Sequence, residues 1–576
     1  MSDSMSRLAR ANYYLRRLHR ARPRHVRQLI DARRNRASVL AGAGQVGIVE
    51  KFSRQVVDGW ITVPRDADPV RVTLCVNGHE IAASWATEIK ARNSRHARAS
   101  WSQVRTFRFN IKDLWSYVRP ADRLTVRADS VPLPIAQVGM FLRPDAPGEH
   151  TPDQLRKLLS EGYVFEQYGR LALSKKRDVE WQQRVMSLFA DVRTFIADRF
   201  DYDIFFLYGT LLGSVRENGF IGHDIDLDSA FVSRQTDGRD AAAELRDIAF
   251  ALIDAGYLIE SFRTHLHVTR ADGTRIDLFH LYFDENDQLA LPFGIAGTSV
   301  IKRDEWQGLR EIDFPGGTGV VPVIAEKMVA HLYGEDWRSP KPGFHWPKDR
   351  TKRAARGIMP LPWHEEIYWA NFYAHKSYDT GSTFQTFVVD RDDTPPNIID
   401  IGCGDGRDSF AFAQNGRTVL GVDRSYIGVQ HAGKKAAKMG LGERMDFRAV
   451  DVSQTDDLHS VLSAAVANAG EAPVMFYMRF FLHSIPKETQ DGLMEVIHAV
   501  SRPGDMLAAE FRTDKDEQLA KVHTRHYRRY QDGYAYGESL RSQYGFDPIF
   551  EFSGTGLSPY GDEDPELYRV VARREG

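Results

Sequence analysis

Only two cysteines, Cys75 and Cys403, occur in the 576 residues. They fall in what read as separate domains, so a disulfide framework and a thiolate metal site are both excluded, and a reducing cytoplasm is the expected compartment. Long apolar runs are also missing. No stretch reaches the roughly 20 residues of a membrane-spanning helix, and the arginine-studded start has no apolar core of a secretory signal. Charge of one sign is lacking overall: 76 Lys and Arg stand against 78 Asp and Glu, a formal charge of -2. That balance excludes wholesale nucleic-acid binding.

What is present is unevenly distributed, and the length calls for several domains, each with its own core. Residues 1–40 form a basic arm, with eleven arginines from Arg7 to Arg36 against Asp3 and Asp31. Interleaved Tyr13, Tyr14, Leu18, Leu29 and Ile30 make it a basic amphipathic segment. It suits an anionic membrane surface, an acidic partner of a polysaccharide-assembly system, or packing on its own protein. Residues 41–148 alternate in short runs such as GWITV, RVTLCVNG and TFRFNI, with an Asn77-Gly78 turn, and predict a small antiparallel β-sandwich. Trp60, Trp85, Trp101 and Trp115 in it are expected to pack rather than to bind sugar. After a linker at Pro144–Pro152, LRKLLSEGYVFEQY and WQQRVMSLFADVRTFIADRF carry helical spacing.

The most informative stretch is Leu207 to Phe231, LYGTLLGSVRENGFIGHDIDLDSAF. Asp224, Asp226 and Asp228 alternate with Ile225 and Leu227, which on a strand places three carboxylates on one face. Like charges repel there unless a divalent cation, with its preference for hard oxygen ligands, sits among them. Asp277, set between Ile276 and Leu278, is a further acid in a later strand. The order of a glycine-serine step, an acid pair and a single later acid is that of nucleotidyltransferase-fold enzymes.

More closely, GTLLGSVRENGFIGHDIDLD resembles the LicD and fukutin-related phosphotransferase family, and Tyr333-Gly334-Glu335-Asp336-Trp337 with Pro340 resembles its later Tyr-Gly-x-x-Trp-x-x-Pro segment. The chain departs from the family at Gly222-His223 and at Ile225. The resemblance implies an α/β nucleotidyltransferase-fold domain over 149–355 that transfers a phosphorylated alcohol from a CDP-linked donor to a glycan acceptor. It implies Mg²⁺ (or Mn²⁺) held by Asp226, Asp228 and Asp277. Gly213 and Ser214 would offer backbone N–H groups to phosphate, Arg216 would clamp phosphate or form a salt bridge, and Asp224 or Asp277 would be the base.

Residues 356–576 open a second α/β pattern. The apolar run Asn397–Ile401 leads into Gly402-Cys403-Gly404-Asp405-Gly406 and the helical DSFAFAQNG, and Val419–Val422 ends in Asp423 at the spacing of a ribose-binding acid. The leading Asp400 makes this resemble the class I S-adenosylmethionine (SAM)-dependent methyltransferases, with a Rossmann-like fold. That resemblance implies Asp400, Gly402 and Gly404 around the methionine moiety, Asp423 on the ribose and Asp451 near adenine, with Gly406 also at the cofactor. Arg479, His483, Glu510, Arg512, His526, Tyr527 and Arg528 then stand on the expected methyl-acceptor side.

The sequence therefore reads as a multidomain, bifunctional enzyme of surface-polysaccharide modification. It is expected in the cytoplasm, with peripheral attachment at the inner face of the membrane open through the basic arm. Two other readings stay open for the middle domain: a nucleotidyltransferase acting on a sugar or small molecule, and a glycan-binding pseudo-phosphotransferase that presents substrate to an active methyltransferase.

Overall fold

The Asn77-Gly78 pair forms the tight hairpin expected of it, with φ of 51° and 86° joining strands Val70–Val76 and His79–Ala86. These strands belong to one of two four-stranded sheets in a computed structural model of the protein. The structure describes residues 46–64, 67–89, 102–294, 300–341, 344, 357–375, 380–519, 521, 527–559 and 563–576. The basic arm 1–40, Trp101 and His526 lie outside the described residues.

The two sheets share one core, in which Val57, Ile61, Phe107 and Phe109 of one meet Val72, Leu74, Leu124 and Val126 of the other. Alternation in the sequence decides this, because period-two side chains of both sheets must point inward. Trp60 is buried and its indole N–H donates to Glu50 at 2.8 Å.

By contact the chain divides into two compact units, 1–241 with 274–358, and 242–273 with 359–576. Residues 242–273, read from the sequence within 149–355, therefore group with the C-terminal unit. There the hairpin Leu258–Ser261 and His265–Thr269 is tied to the helix Leu361–His375: Ile259 N–H donates to Asn371 at 2.7 Å, and Ser261 Oγ meets His364 Nδ1 at 2.6 Å.

In the first unit the expected helix over LRKLLSEGYVFEQY stops early. A capping box at Thr151 and Gln154 starts the helix Pro152–Ser160, but Gly162, at φ 98°, breaks the pattern. Tyr163–Phe165 then pairs with Leu171–Leu173 as a hairpin. The long helix Val179–Phe200 forms as expected. The strand Phe205–Phe206 runs antiparallel to Asp228–Ser233, which runs parallel to Arg275–Phe283.

The second unit is built on a seven-stranded sheet in the order Met445–Ala449, Thr418–Asp423, Asn397–Ile401, Val474–Arg479, Met506–Arg512, Leu567–Arg574, Phe546–Gly554. The first five are parallel, and Leu567–Arg574 is inserted antiparallel to both its neighbours. Both faces carry apolar clusters. Phe476, Met478 and Leu507 lie on one face, and Met475, Tyr477 and Ala508 on the other, as an α/β sheet covered by helices requires. Among the described residues no helix is long and apolar enough to cross a membrane.

Candidate functional sites

In the first unit the acids converge, but not as the strand ladder expected from alternation. Only Asp228 lies in a strand, Asp228–Ser233, while Asp224 and Asp226 sit in the irregular segment before it. The helix Tyr208–Glu217 ends at Asn218, whose left-handed φ of 51° turns the chain, and the loop after it folds the two acids back. Asp228 pairs in parallel register with buried Asp277. Gly209, at the start of the helix, closes the group from the other side: its N–H donates to Asp228 Oδ2 at 3.0 Å. A side chain there would not fit, since a Cβ on Gly209 would lie 2.2 Å from Asp224 Oδ2.

Electrostatics register the crowding. Burial, then the Asp226 charge and a hydrogen bond that the protonated Asp224 donates to it, raises the Asp224 carboxyl well above the usual range. Burial, then Asp226 and Asp277, raises Asp228 likewise. Carboxyls that share protons because their charges cannot coexist are what a divalent cation resolves. All four acids offer hard oxygen, the donor type that Mg²⁺ takes.

Gly213 and Ser214 are not at this site as expected. They lie inside the helix Tyr208–Glu217, where Ser214 Oγ donates to Leu211 O at 2.8 Å. A Cβ at Gly213 would meet Gly219 O at 2.5 Å, so this glycine serves close packing. Past the first turn a helical backbone spends its N–H groups on the preceding turn, so at these two positions none is left for phosphate. Arg216 is held as a salt bridge, with Nη2 on Glu217 at 2.6 Å and Nη1 near Trp337 O at 3.4 Å.

Four further residues border the acids. Gln167 Nε2 reaches Asp226 at 3.5 Å, and Arg275 Nε reaches Asp277 at 3.4 Å. Tyr208 and Tyr333 have their hydroxyl pKa raised, first by burial and then by the acid charges. Tyr333 heads the Tyr-Gly-x-x-Trp segment, which was its signal; Gln167 had none. Burial also drives His223 down to about 4, so it is a neutral imidazole.

In the second unit the strand Asn397–Ile401 runs into three glycines with positive φ, 79° at Gly402, 58° at Gly404 and 81° at Gly406, which begins the helix Arg407–Gln414. Gly402 and Gly404 are needed for space as well as conformation. A Cβ would lie 2.3 Å from the Phe481 ring at the first and 2.4 Å from the Tyr373 ring at the second. Asp423, at the end of the neighbouring strand, accepts Gly404 N–H at 2.9 Å and Ser425 N–H at 2.8 Å. Asp400 is buried, accepts Ser409 Oγ at 2.6 Å, and is pushed up to about 8 by burial and by Asp408. Asp451 is exposed in the turn after Met445–Ala449, with its carboxylate on Ser453 N–H at 2.9 Å.

These residues form one glycine-lined cradle at the carboxyl ends of adjacent parallel strands, where open α/β sheets take their ligands. Tyr373, in the helix Leu361–His375, was missed because WHEEIYWANFY carries only a helical signal. Its ring lies over Gly404, and burial and the Asp423 charge raise its hydroxyl pKa.

His483 does not stand open to an acceptor. It is buried, its Nδ1 accepts Arg512 N–H at 3.4 Å, and its ring meets Phe480 edge-on at 5.6 Å. Glu510 is fully buried between Arg569 at 2.6 Å and Arg479 at 3.3 Å.

Solved structures similar to this chain include three methyltransferases. The Burkholderia thailandensis 1,6-didemethyltoxoflavin N1-methyltransferase is 22% identical over 33% of this chain and 76% of that one, with a TM-score of 0.26. A SAM-dependent methyltransferase from Anabaena variabilis is 16% identical over 37% and 93%, TM-score 0.29. The magnesium protoporphyrin IX methyltransferase of Synechocystis is 17% identical over 38% and 86%, TM-score 0.25. The family model described as a methyltransferase domain matches residues 393–541, and over that region the chain is a methyltransferase domain.

Proposed function

We propose that the chain is a bifunctional enzyme of surface-polysaccharide modification. Its second unit transfers a methyl group from SAM to oxygen. Its first unit transfers a phosphorylated alcohol from a CDP-linked donor to a glycan. The methyl acceptor is the added group or the glycan itself.

For the second unit the supporting observation is the bond from Gly404 N–H to Asp423, which ties the glycine turn to the acid expected at the ribose. SAM supplies an electrophilic methyl on sulfonium. The protein's part is to hold the cofactor close against backbone at Gly402 and Gly404, with Asp423 for the ribose hydroxyls and Asp400 near the cationic methionine moiety. Methyl transfer asks mainly for in-line alignment, so positioning carries most of the rate.

For the first unit the reading rests on the convergence of Asp224, Asp226, Asp228 and Asp277. A bound Mg²⁺ would supply neutralising charge at the donor phosphates. Asp226, Asp228 and Asp277 would hold it. Asp224, whose proton affinity is raised by burial and by Asp226, would take the proton of the attacking hydroxyl. Gly209 keeps the space between these carboxylates, and Arg275 and Gln167 hold Asp277 and Asp226 in place.

The test is an assay of the full chain with glycan acceptor, a panel of CDP-linked donors, Mg²⁺ and labelled SAM. CMP release that needs Mg²⁺ and is lost in Asp228→Asn supports the first activity, and methyl incorporation lost in Asp423→Asn supports the second. A product that retains the nucleotide, read by mass spectrometry, would replace phosphotransfer with nucleotidyl transfer.

A further inference from the structure

Past the strand Val474–Arg479 the chain turns through Phe480 with φ of 51°, a left-handed backbone that an aromatic residue adopts only when its surroundings impose it. Phe480 N–H donates to Glu510 O at 2.8 Å, and Ser484 Oγ donates to the Phe480 carbonyl at 3.0 Å, so the turn is held on both sides. The next residue, Phe481, packs where a Gly402 side chain would stand, which makes this turn continuous with the glycine cradle.

The turn places the Phe480 ring beside two guanidiniums, Arg479 at 4.6 Å and Arg512 at 5.8 Å from its centroid. Both have acids. Arg479 has Glu510 at 3.3 Å, and Arg512 has Asp516 at 2.8 Å together with Glu563. Lys521 shares Asp516 at 3.0 Å.

Arg528 then adds a cation for which no acid is left over among the described residues. Its Nε is buried and meets no hydrogen-bond acceptor among the described residues. Arg512 repels it, Glu563 beside it is already joined to Arg512, and the Tyr368 and Tyr530 hydroxyls border it. Among the described residues, Arg512 joins both buried acids, Asp516 and Glu563, Lys521 joins Asp516 and Arg528 lies near Glu563, three positive charges against two negative. A desolvated guanidinium donor without an acceptor is unfavourable, and a planar fork of this kind is matched by an oxyanion.

We infer that the methyl acceptor carries an oxyanion, phosphate or carboxylate, which Arg528 takes in beside Arg512, with Phe480 and Tyr530 as the apolar wall. The inference rests on the methyltransferase reading of the second unit and adds to it the chemical class of the acceptor. Phosphate and carboxylate share the recognition, and the probes separate them.

The experiment is calorimetric titration of the full chain, first with S-adenosylhomocysteine, then with inorganic phosphate or acetate on the loaded protein. Saturable, one-to-one binding of either anion is expected, weakened at least about tenfold in Arg528→Gln, with S-adenosylhomocysteine bound as in the wild type. Preference between the two probes assigns the acceptor's group. Where Arg528→Gln loses its thermal transition, Arg528→Lys takes its place, and loss of the two-pronged bond is expected to weaken the anion at least about threefold. No anion binding by the loaded wild type overturns the inference, and so does equal affinity in the folded variant. Absence of S-adenosylhomocysteine binding would instead overturn the methyltransferase reading, which keeps the two failures apart.

Discussion

Asp228 and Asp277 stand opposite each other on neighbouring parallel strands, paired residue to residue. Facing positions in parallel register send their side chains to the same side of the sheet, so two carboxylates separated by 48 residues share one space. Removing either charge is expected to lower Mg²⁺-dependent release of CMP by about 10²–10³-fold, as Asp228→Asn or Asp277→Asn, with melting temperature unchanged or raised. Turnover within about threefold of wild type in both variants would remove the metal role.

The raised pKa values of Asp224 and Asp228 set a pH dependence. Each binds its proton more tightly in the fold than in the unfolded chain, so stability without metal is fullest at low pH and declines as pH rises through the raised values. Metal-free protein is expected to melt lower as pH rises above the usual carboxylate range, with Mg²⁺ restoring more at the higher pH. Asp224→Asn should flatten this dependence in a thermal scan. A metal-free melting temperature that rises with pH above that range, in wild type and variant alike, would contradict it.

Gly209 and Ser214 separate the observed site from the one expected along the sequence. Gly209→Ala puts a methyl where Asp224 Oδ2 lies 2.2 Å away, and is expected to abolish phosphotransfer while the fold survives. Ser214→Ala removes one hydrogen bond inside a helix, at about 1 kcal/mol of stability, and should leave turnover near wild type. The reverse pattern in a kinetic comparison would return phosphate binding to Gly213 and Ser214.

At the cradle, Gly404→Ala must move the Tyr373 ring, 2.4 Å from the new Cβ, and also force an alanine to φ 58°. Affinity for S-adenosylhomocysteine is expected to fall by at least about tenfold. Gly440→Ala is the comparison, since its backbone is also left-handed at φ 70° but nothing lies within 4 Å of its Cβ; that variant should bind normally.

Asp400 holds its proton up to about 8 because it is buried beside Asp408. A cation bound near it favours the ionised form, so cofactor binding near neutral pH is expected to release a proton, and affinity to rise as pH approaches about 8. Titration in buffers of different ionisation enthalpy counts that proton. In Asp400→Asn the count should fall by the same amount; an unchanged count would assign it elsewhere.

By itself the sequence determined the elements whose causes are local. The Asn77-Gly78 hairpin, the alternating strands of the sandwich and the strand, glycine turn and helix from Asn397 to Gln414 each follow from period, turn chemistry or the steric freedom of glycine. It also named all four acids of the first site and Asp423 of the second. Only the tertiary structure decided how those groups meet. Alternation from Asp224 to Asp228 predicts a strand, yet the end of the Tyr208–Glu217 helix at Asn218 leaves Asp224 and Asp226 in a loop. The same helix withdraws Gly213 and Ser214 by using up their backbone groups. Gln167, Arg275, Tyr373 and the left-handed Phe480 carry no local signal, because what places them is contact with residues distant in sequence. Such contacts depend on the packing of whole elements, which periodicity along one chain does not encode.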